Sequence, residues 1–221
     1  MVYLAPPEKL AQAPQLPGWE ETALQKQERY EQIANALYEV AYDPNTKPLF
    51  VGGTGRASTA ATVLAIAFFE SGFAHDVDVG PCYRGKPGTP FFKRCDGGLA
   101  VGLMQVRVDG DTTSQLMHGV EGLTRAEVFS DRKSMFRIGL HMVRKSFAAC
   151  RKYGEDWSLN VYASGSCKYP DGRPSGLSVG RARLRLARKL LAEHPAPGPD
   201  SKYMVDSNEK NGGEVSLLEP R

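Results

Sequence analysis

Glu70 stands directly after Phe68 and Phe69, at the end of a run in which Val63, Leu64, Ile66 and Ala67 leave almost no polar face. A carboxyl group held against apolar rings resists ionisation, because its charged form loses water solvation. Such a protonated acid at the edge of a cleft suits glycoside cleavage, where the leaving oxygen must be protonated as its bond breaks. The plainer alternative is a glutamate that ends a buried helix and turns its carboxylate to water. Gln105 carries the lone amide in the short apolar segment Gly102-Leu103-Met104-Gln105-Val106. It is either an exposed turn residue or a donor and acceptor for a polar, uncharged ligand such as a sugar.

Positioning Glu70 falls to the stretch Thr59 to Gly72, whose apolar residues predict a central helix covered on most sides by the rest of the domain. Before it, Leu49-Phe50-Val51 runs into a Gly-Gly-Thr-Gly loop, a grammar that also introduces phosphate cradles. The details argue against a nucleotide: there is no Gly-Lys-Ser/Thr, and Ser58 stands where a dinucleotide fingerprint needs its third glycine. A flexible loop with Ser58 or Thr59 as N-cap is expected instead.

Other helices follow from periodicity. Leu24, Ile33, Leu37, Val40 and Ala41 form one face of a flanking amphipathic helix over Trp19 to Ala41. Thr124 and Glu127 suggest a capping box, and Ser130 or Asp131 starts a longer helix through Met135, Ile138, Met142 and Phe147 to Cys150. A short helix over Trp157 to Tyr162 stops at Ser164-Gly165. Val179, Ala182, Leu186, Ala187, Leu190 and Leu191 mark the apolar face of a last helix. Its other side carries Arg181, Arg185, Arg188 and Lys189, read either as a solvated face or as a contact for an anionic polymer or lipid surface. Phe73 to Gly98, rich in glycine and proline, reads as an irregular lobe with a small hairpin. Residues 1–18, with Pro6, Pro7, Pro14 and Pro17, form an extended lead-in; residues 19–194 form one domain; residues 195–221 form a mobile tail. The class expected is mainly α, with a small irregular or β lobe.

Composition narrows the function classes. At 221 residues, 24% charged and 41% apolar, the chain can bury one sizeable core. A formal charge of +3 is too small to argue for nucleic acid. The longest apolar run falls short of the roughly 18 residues of a membrane span, and the first residues do not form a signal h-region. The four cysteines, Cys82, Cys95, Cys150 and Cys167, lack the CxxC spacing of a zinc ribbon. Pairing 82 with 95 and 150 with 167 would close two short loops and fit an oxidising compartment; free buried thiols are the alternative. No metal or other cofactor is expected.

Taken together, Glu70-Ser71, Gly102-Leu103-Met104-Gln105 and Tyr162 in Asn-Val-Tyr-Ala-Ser-Gly resemble the lytic transglycosylases of the soluble type, in the lysozyme-like superfamily. The resemblance covers about residues 57–166. It implies an α+β lysozyme-like fold in which Glu70 is catalytic acid and base and Ser71 helps to orient the reaction centre. It further implies that the 102–105 segment lines a glycan groove, with Met104 as an apolar contact and Gln105 as a hydrogen-bonding one. Tyr162 would hydrogen-bond the Glu70 carboxyl. The asparagine that follows the tyrosine in the family is Ala163 here, which leaves its sugar contact to Ser164. The interval from Glu70 to Gly102 is longer than the family's, which marks the cysteine-bearing lobe as an insertion over the groove.

The substrate implied is the peptidoglycan glycan strand, met by a monomer with neither a nucleic-acid partner nor a membrane span. A single carboxylate suffices if the muramic 6-hydroxyl of the substrate attacks the anomeric carbon and leaves a 1,6-anhydro end. A hydrolytic lysozyme is the runner-up, with Asp76, Asp78 or Asp96 positioning a water. An idle glycan-binding or virion structural module is a third reading. Action outside the cytoplasm without a signal would mean a trimmed form, export by other means, or a phage protein carried in a virion or released at lysis.

Overall fold

The computed structural model describes residues 1, 3–6, 16–84, 88–90, 92–107, 131–169, 171–173 and 176–195. The chain is mainly helical. Helix α1, Ala23–Tyr42, opens on a capping box: the Gln25 N–H donates to the Thr22 hydroxyl at 3.2 Å, and the Thr22 N–H donates to the Gln25 carbonyl side-chain oxygen at 2.9 Å. Helix α2, Gly55–Ser71, is the central element and packs against three others: α1, α4 (Arg132–Cys150) and α6 (Leu177–Glu193). The short α3, His75–Asp78, follows α2, and α5, Asn160–Ser164, lies between α4 and α6.

Helix α2 begins earlier than its apolar pattern suggests, and neither Ser58 nor Thr59 caps it. Thr54 is the N-cap, and Gly55 is required as the first helical residue, since a Cβ there would lie 2.2 Å from the Phe50 carbonyl oxygen. Thr59 instead sits inside the helix. Its buried hydroxyl donates to the Gly55 carbonyl at 2.7 Å and accepts the Leu49 N–H at 2.8 Å, tying the incoming stretch of chain to the helix.

One core joins these helices. Tyr30, Ile33, Leu37 and Val40 of α1 meet Val63, Ile66 and Ala67 of α2, and Phe136, Leu140 and Val143 of α4 complete the layer. Each such side chain contributes about 1.5–3 kcal/mol on full burial. Ala187 and Leu190 of α6 pack with Ala61 and Ala65 of α2 in a smaller cluster, and Leu24 and Val179, expected on apolar faces, are exposed.

Between α3 and α4 the chain forms two small antiparallel ladders. Strands β1, Tyr83–Arg84, and β2, Lys93–Arg94, pair first; β3, Ala100–Val101, and β4, Val106–Arg107, pair next. A disulfide joins Cys82 to Cys95 at the base of the first hairpin, and a second joins Cys150 at the end of α4 to Cys167 beyond α5. Asp131 caps α4 by accepting the Ser134 N–H and hydroxyl, both at 2.8 Å, and these bonds hold its carboxyl below the usual range.

The basic face of α6 turns to partners within the protein. Arg181 pairs with Asp156 and Arg188 with Glu155, each at 3.0 Å, and Lys189 pairs with Glu193 at 3.7 Å. Two of the four basic residues of the stripe, Arg181 and Arg188, are thus matched by the nearby acidic turn. The expected Thr124–Glu127 capping box, most of the lead-in and residues 196–221 lie outside the described residues. Among those described, no helix is long and apolar enough to cross a membrane.

Candidate active site around Glu70

Glu70 occupies the last turn of α2, where the helix ends in a sharp reversal. Gly72 and Phe73 both adopt left-handed backbone, with φ of 56° each. For phenylalanine that conformation is unfavourable and persists only where the surroundings fix it. They do so from several directions: the Phe73 N–H donates to the Ser71 hydroxyl at 3.1 Å, its carbonyl accepts from Arg29 at 2.9 Å, and its ring packs on Tyr30 and Phe68. The Ser71 hydroxyl also donates to the Ala67 carbonyl at 2.6 Å. Ser71 thus serves the geometry of the reversal beneath Glu70.

Two further segments approach the carboxyl, and a third is joined to it through Tyr162. From α6, Arg183 reaches Glu70 Oε1 with Nη2 at 2.5 Å; both side chains are mostly buried, 6% and 19% exposed respectively. From α5 comes Tyr162, whose phenol is pushed well above its ordinary range, by burial first and by the neighbouring Glu70 carboxylate second, with Arg183 opposing. From the β3–β4 turn comes the Met104 carbonyl, which accepts the Tyr162 hydroxyl at 2.5 Å. The setting of Glu70 is therefore not the purely apolar one that Phe68 and Phe69 imply. Phe69 is 45% exposed, and the guanidinium of Arg183 lies 5.3 Å from its ring centroid.

The position of Tyr162 is set by Ser146, a fully buried residue of α4. Its hydroxyl donates to the Ser158 carbonyl at 2.7 Å and accepts the Tyr162 N–H at 3.1 Å, fixing the start of α5 against α4. The phenol donates to Met104 and not, as the family resemblance implies, to Glu70. Ser164, on the same short helix, donates to the Asn160 carbonyl at 2.8 Å and so closes the helix end.

The 102–105 turn differs most from expectation. Leu103 and Met104 are fully buried and belong to the core, so neither side chain lines a groove. A Cβ at Gly139 of α4 would come 2.2 Å from the Met104 sulfur, so α4 leaves a glycine-sized socket for this methionine. Gly102, at φ 66°, is held equally close: a Cβ there would meet the Met135 sulfur at 2.5 Å. Gln105 adopts φ of 47°, and its amide Nε2 donates to the Gly102 carbonyl at 3.0 Å, closing the turn. What the turn offers the site is backbone, chiefly the Met104 carbonyl, with Gln105 half-buried beside it.

Two of the three aspartates expected as candidates, Asp76 and Asp78, are committed elsewhere, and the Asp96 side chain lies outside what is described. Asp78 is buried between Arg132, at 2.7 Å, and Arg29, at 3.4 Å, and Asp76 accepts the Tyr83 N–H at 3.0 Å. Two cavities also lie away from Glu70. One, of about 480 Å³, is an apolar groove lined by Tyr3, Tyr42, Ala57, Leu64 and Leu190; the other, of about 300 Å³, is a polar hollow over Glu21, Arg29 and Arg132.

Sequence reasoning missed Arg183 and Ser146. The helical phase of Arg183 is the signal that finds it, because it lies three residues after buried Gly180 and four before buried Ala187, inside the apolar stripe of α6. No protein-family model, curated protein or solved structure matches the chain.

Proposed function

We propose that this chain is a lytic transglycosylase of lysozyme-like fold that cleaves the β-1,4 bond between N-acetylmuramic acid and N-acetylglucosamine in peptidoglycan. The observation that carries this reading is a convergence. Tyr162 of α5 stands close enough to Glu70, at the end of the central helix, to feel its charge, and its hydroxyl donates to the backbone of the 102–105 turn, so three distant stretches of sequence are linked through one phenol. Those are the three motif positions on which the family resemblance rests.

In this reading Glu70 gives its proton to the leaving glycosidic oxygen as the C1–O bond breaks. The muramic 6-hydroxyl then bonds to C1, and its proton passes to Glu70, which restores the acid without water. One carboxylate thus performs both halves of the reaction. The commitment of Asp78 to Arg132 and Arg29, and of Asp76 to a backbone N–H, takes two of the three candidate carboxylates away from the hydrolytic route, which needs one to direct a water. The place of action follows from the substrate and lies outside the cytoplasm.

Glu70→Gln tests the assignment, since it keeps size and hydrogen bonding but lacks the transferable proton. Clearing of cell-wall suspensions should fall by more than about a hundredfold, with an unchanged circular dichroism spectrum. Clearing near the wild-type rate would remove Glu70 from the chemistry.

A further inference from the structure

A pair of cations without carboxylate partners gathers on Tyr153, outside the Glu70 cluster. The Tyr153 ring belongs to the short turn Arg151–Tyr153 that continues α4; it is 40% exposed and packs on Trp157 at 5.5 Å. The Lys168 ammonium lies 4.1 Å from the centroid of that ring and the Lys152 ammonium 5.1 Å from it, so the two nitrogens are separated by no more than the sum of those distances. The lysines come from separate segments, which the Cys150–Cys167 disulfide clamps together. Neither ammonium meets a carboxylate among the described residues. The acids in the same stretch of chain are taken: Glu155 pairs with Arg188 and Asp156 with Arg181, each at 3.0 Å, and Asp171 pairs with Arg173 at 2.6 Å. Cation–π attraction holds each lysine but leaves two like charges side by side without neutralisation. The macrodipole of α4 accounts for Lys152, just past its C-terminus, and gives no reason for Lys168.

We propose that Lys152 and Lys168 form an anion-binding site for the phosphodiester groups of a polyol-phosphate polymer. With charge-assisted bonds of about 2.8 Å on each side, one phosphate group spans two ammonium groups at such a separation. Phosphate suits the pair better than carboxylate does. An ammonium is a compact point charge, whereas a planar carboxylate favours the fork of an arginine. The tetrahedral oxygens of a phosphate also accept from donors that arrive from different directions. A nucleic acid fits less well, because single strands bind by stacking bases on open aromatic faces. Here the Tyr153 ring is engaged by two ammonium groups and by Trp157. The site is independent of the chemistry at Glu70: it holds the protein on a surface that carries such a polymer.

The test titrates the full chain, Lys168→Gln and the double variant Lys152→Gln with Lys168→Gln at low salt, following amide chemical shifts by NMR. The probes are a glycerol-phosphate oligomer, an oligothymidylate of equal phosphate number and a poly-glutamate of equal charge. The wild type should bind the glycerol-phosphate oligomer most tightly, with shifts centred on Lys152, Tyr153 and Lys168, and with an affinity that falls as salt rises. Lys168→Gln should weaken binding about three- to fivefold and the double variant about tenfold. Lys168 lies outside every helix, so the single variant decides by the same criterion if the double variant does not fold. Absence of binding, wild-type affinity in a folded variant, or binding of oligothymidylate or poly-glutamate at least as tight overturns the proposal. Glu70→Gln should bind as the wild type does. Its loss of wall clearing therefore leaves this site standing, and a failure to bind the oligomer leaves the reading of Glu70 untouched.

Discussion

Two buried pairings of carboxylate and guanidinium flank the chain reversal at Phe73, and they differ in kind. On one side Asp78, with no exposed side-chain surface, takes a bidentate grip from Arg132 and a longer contact from Arg29; Arg29 is itself bidentate to Glu21, at 2.6 and 2.7 Å, and also holds the Phe73 carbonyl. On the other side Glu70 keeps 19% of its side chain exposed, meets Arg183 through Oε1, and stands near the Tyr162 phenol. The first arrangement matches two acids with two bases and binds α1, α3 and α4 together. The second leaves a carboxyl at the rim of the protein, oriented by a cation. Both carboxylates are mostly buried and ion-paired, so on the proposed reading burial and an ion pair do not by themselves separate a reacting carboxylate from a structural one. What differs is access: the Glu70 side chain keeps 19% exposure where that of Asp78 keeps none.

The largest effect expected from this contrast is on stability. Arg29→Met removes the bidentate partner of Glu21 and a contact from Asp78 and Phe73, and losing one partner of a buried pair costs about 3–5 kcal/mol. Denaturant unfolding should show that loss. The same cluster sets a pH limit. Glu21 is opposed by burial but held below its ordinary value of 4.5 by its bond to Arg29. A carboxylate with a lowered folded value stabilises the fold above its unfolded value and loses that contribution as pH falls through the folded one. Acid unfolding should therefore begin below about pH 4.5 in the wild type, with this component absent in Arg29→Met.

Next in size is the tether of the lobe on the Asp76 side. Replacing Cys82 and Cys95 by serine opens a loop of 13 residues' separation, for which the loop-entropy model gives about 3 kcal/mol. The hairpin should become sensitive to proteolysis before the helices do. Equal protection with and without the bridge would mean that Tyr83 and Phe92, stacked at 4.7 Å, hold the hairpin unaided.

The smallest effect belongs to the Glu70 side. Tyr162→Phe deletes the hydrogen bond to Met104, which contributes on the order of 1 kcal/mol net to stability, and turnover should fall less than in Glu70→Gln. Full activity would reduce Tyr162 to packing.

Much of the helical frame was legible because it is local. Apolar periodicity marked α1, α4 and α6, Asp131 was visible as a candidate N-cap, and Ser164-Gly165 marked the end of α5. Glu70 stood out because a charged residue ends an apolar run. What escaped was tertiary. The socket for Met104 is made by Gly139, and nothing near residue 104 announces it. Asp76 and Asp78 looked available because their partners, Tyr83, Arg29 and Arg132, lie in other elements. Arg183 was hidden among four other basic residues of α6, and only its phase on the helix separates it from them. Charge content reveals how many ions a helix carries; helical phase reveals which of them face inward.

The central claim is that Glu70 cleaves glycan strands without water. Digesting purified peptidoglycan with the full chain, with Glu70→Gln as control, and weighing the released muropeptides by mass spectrometry tests it most directly. The account predicts products one water lighter than their reducing counterparts, ending in 1,6-anhydromuramic acid, from the wild type alone. Reducing ends would make the protein a hydrolase, and no release from either protein would contradict the enzyme altogether.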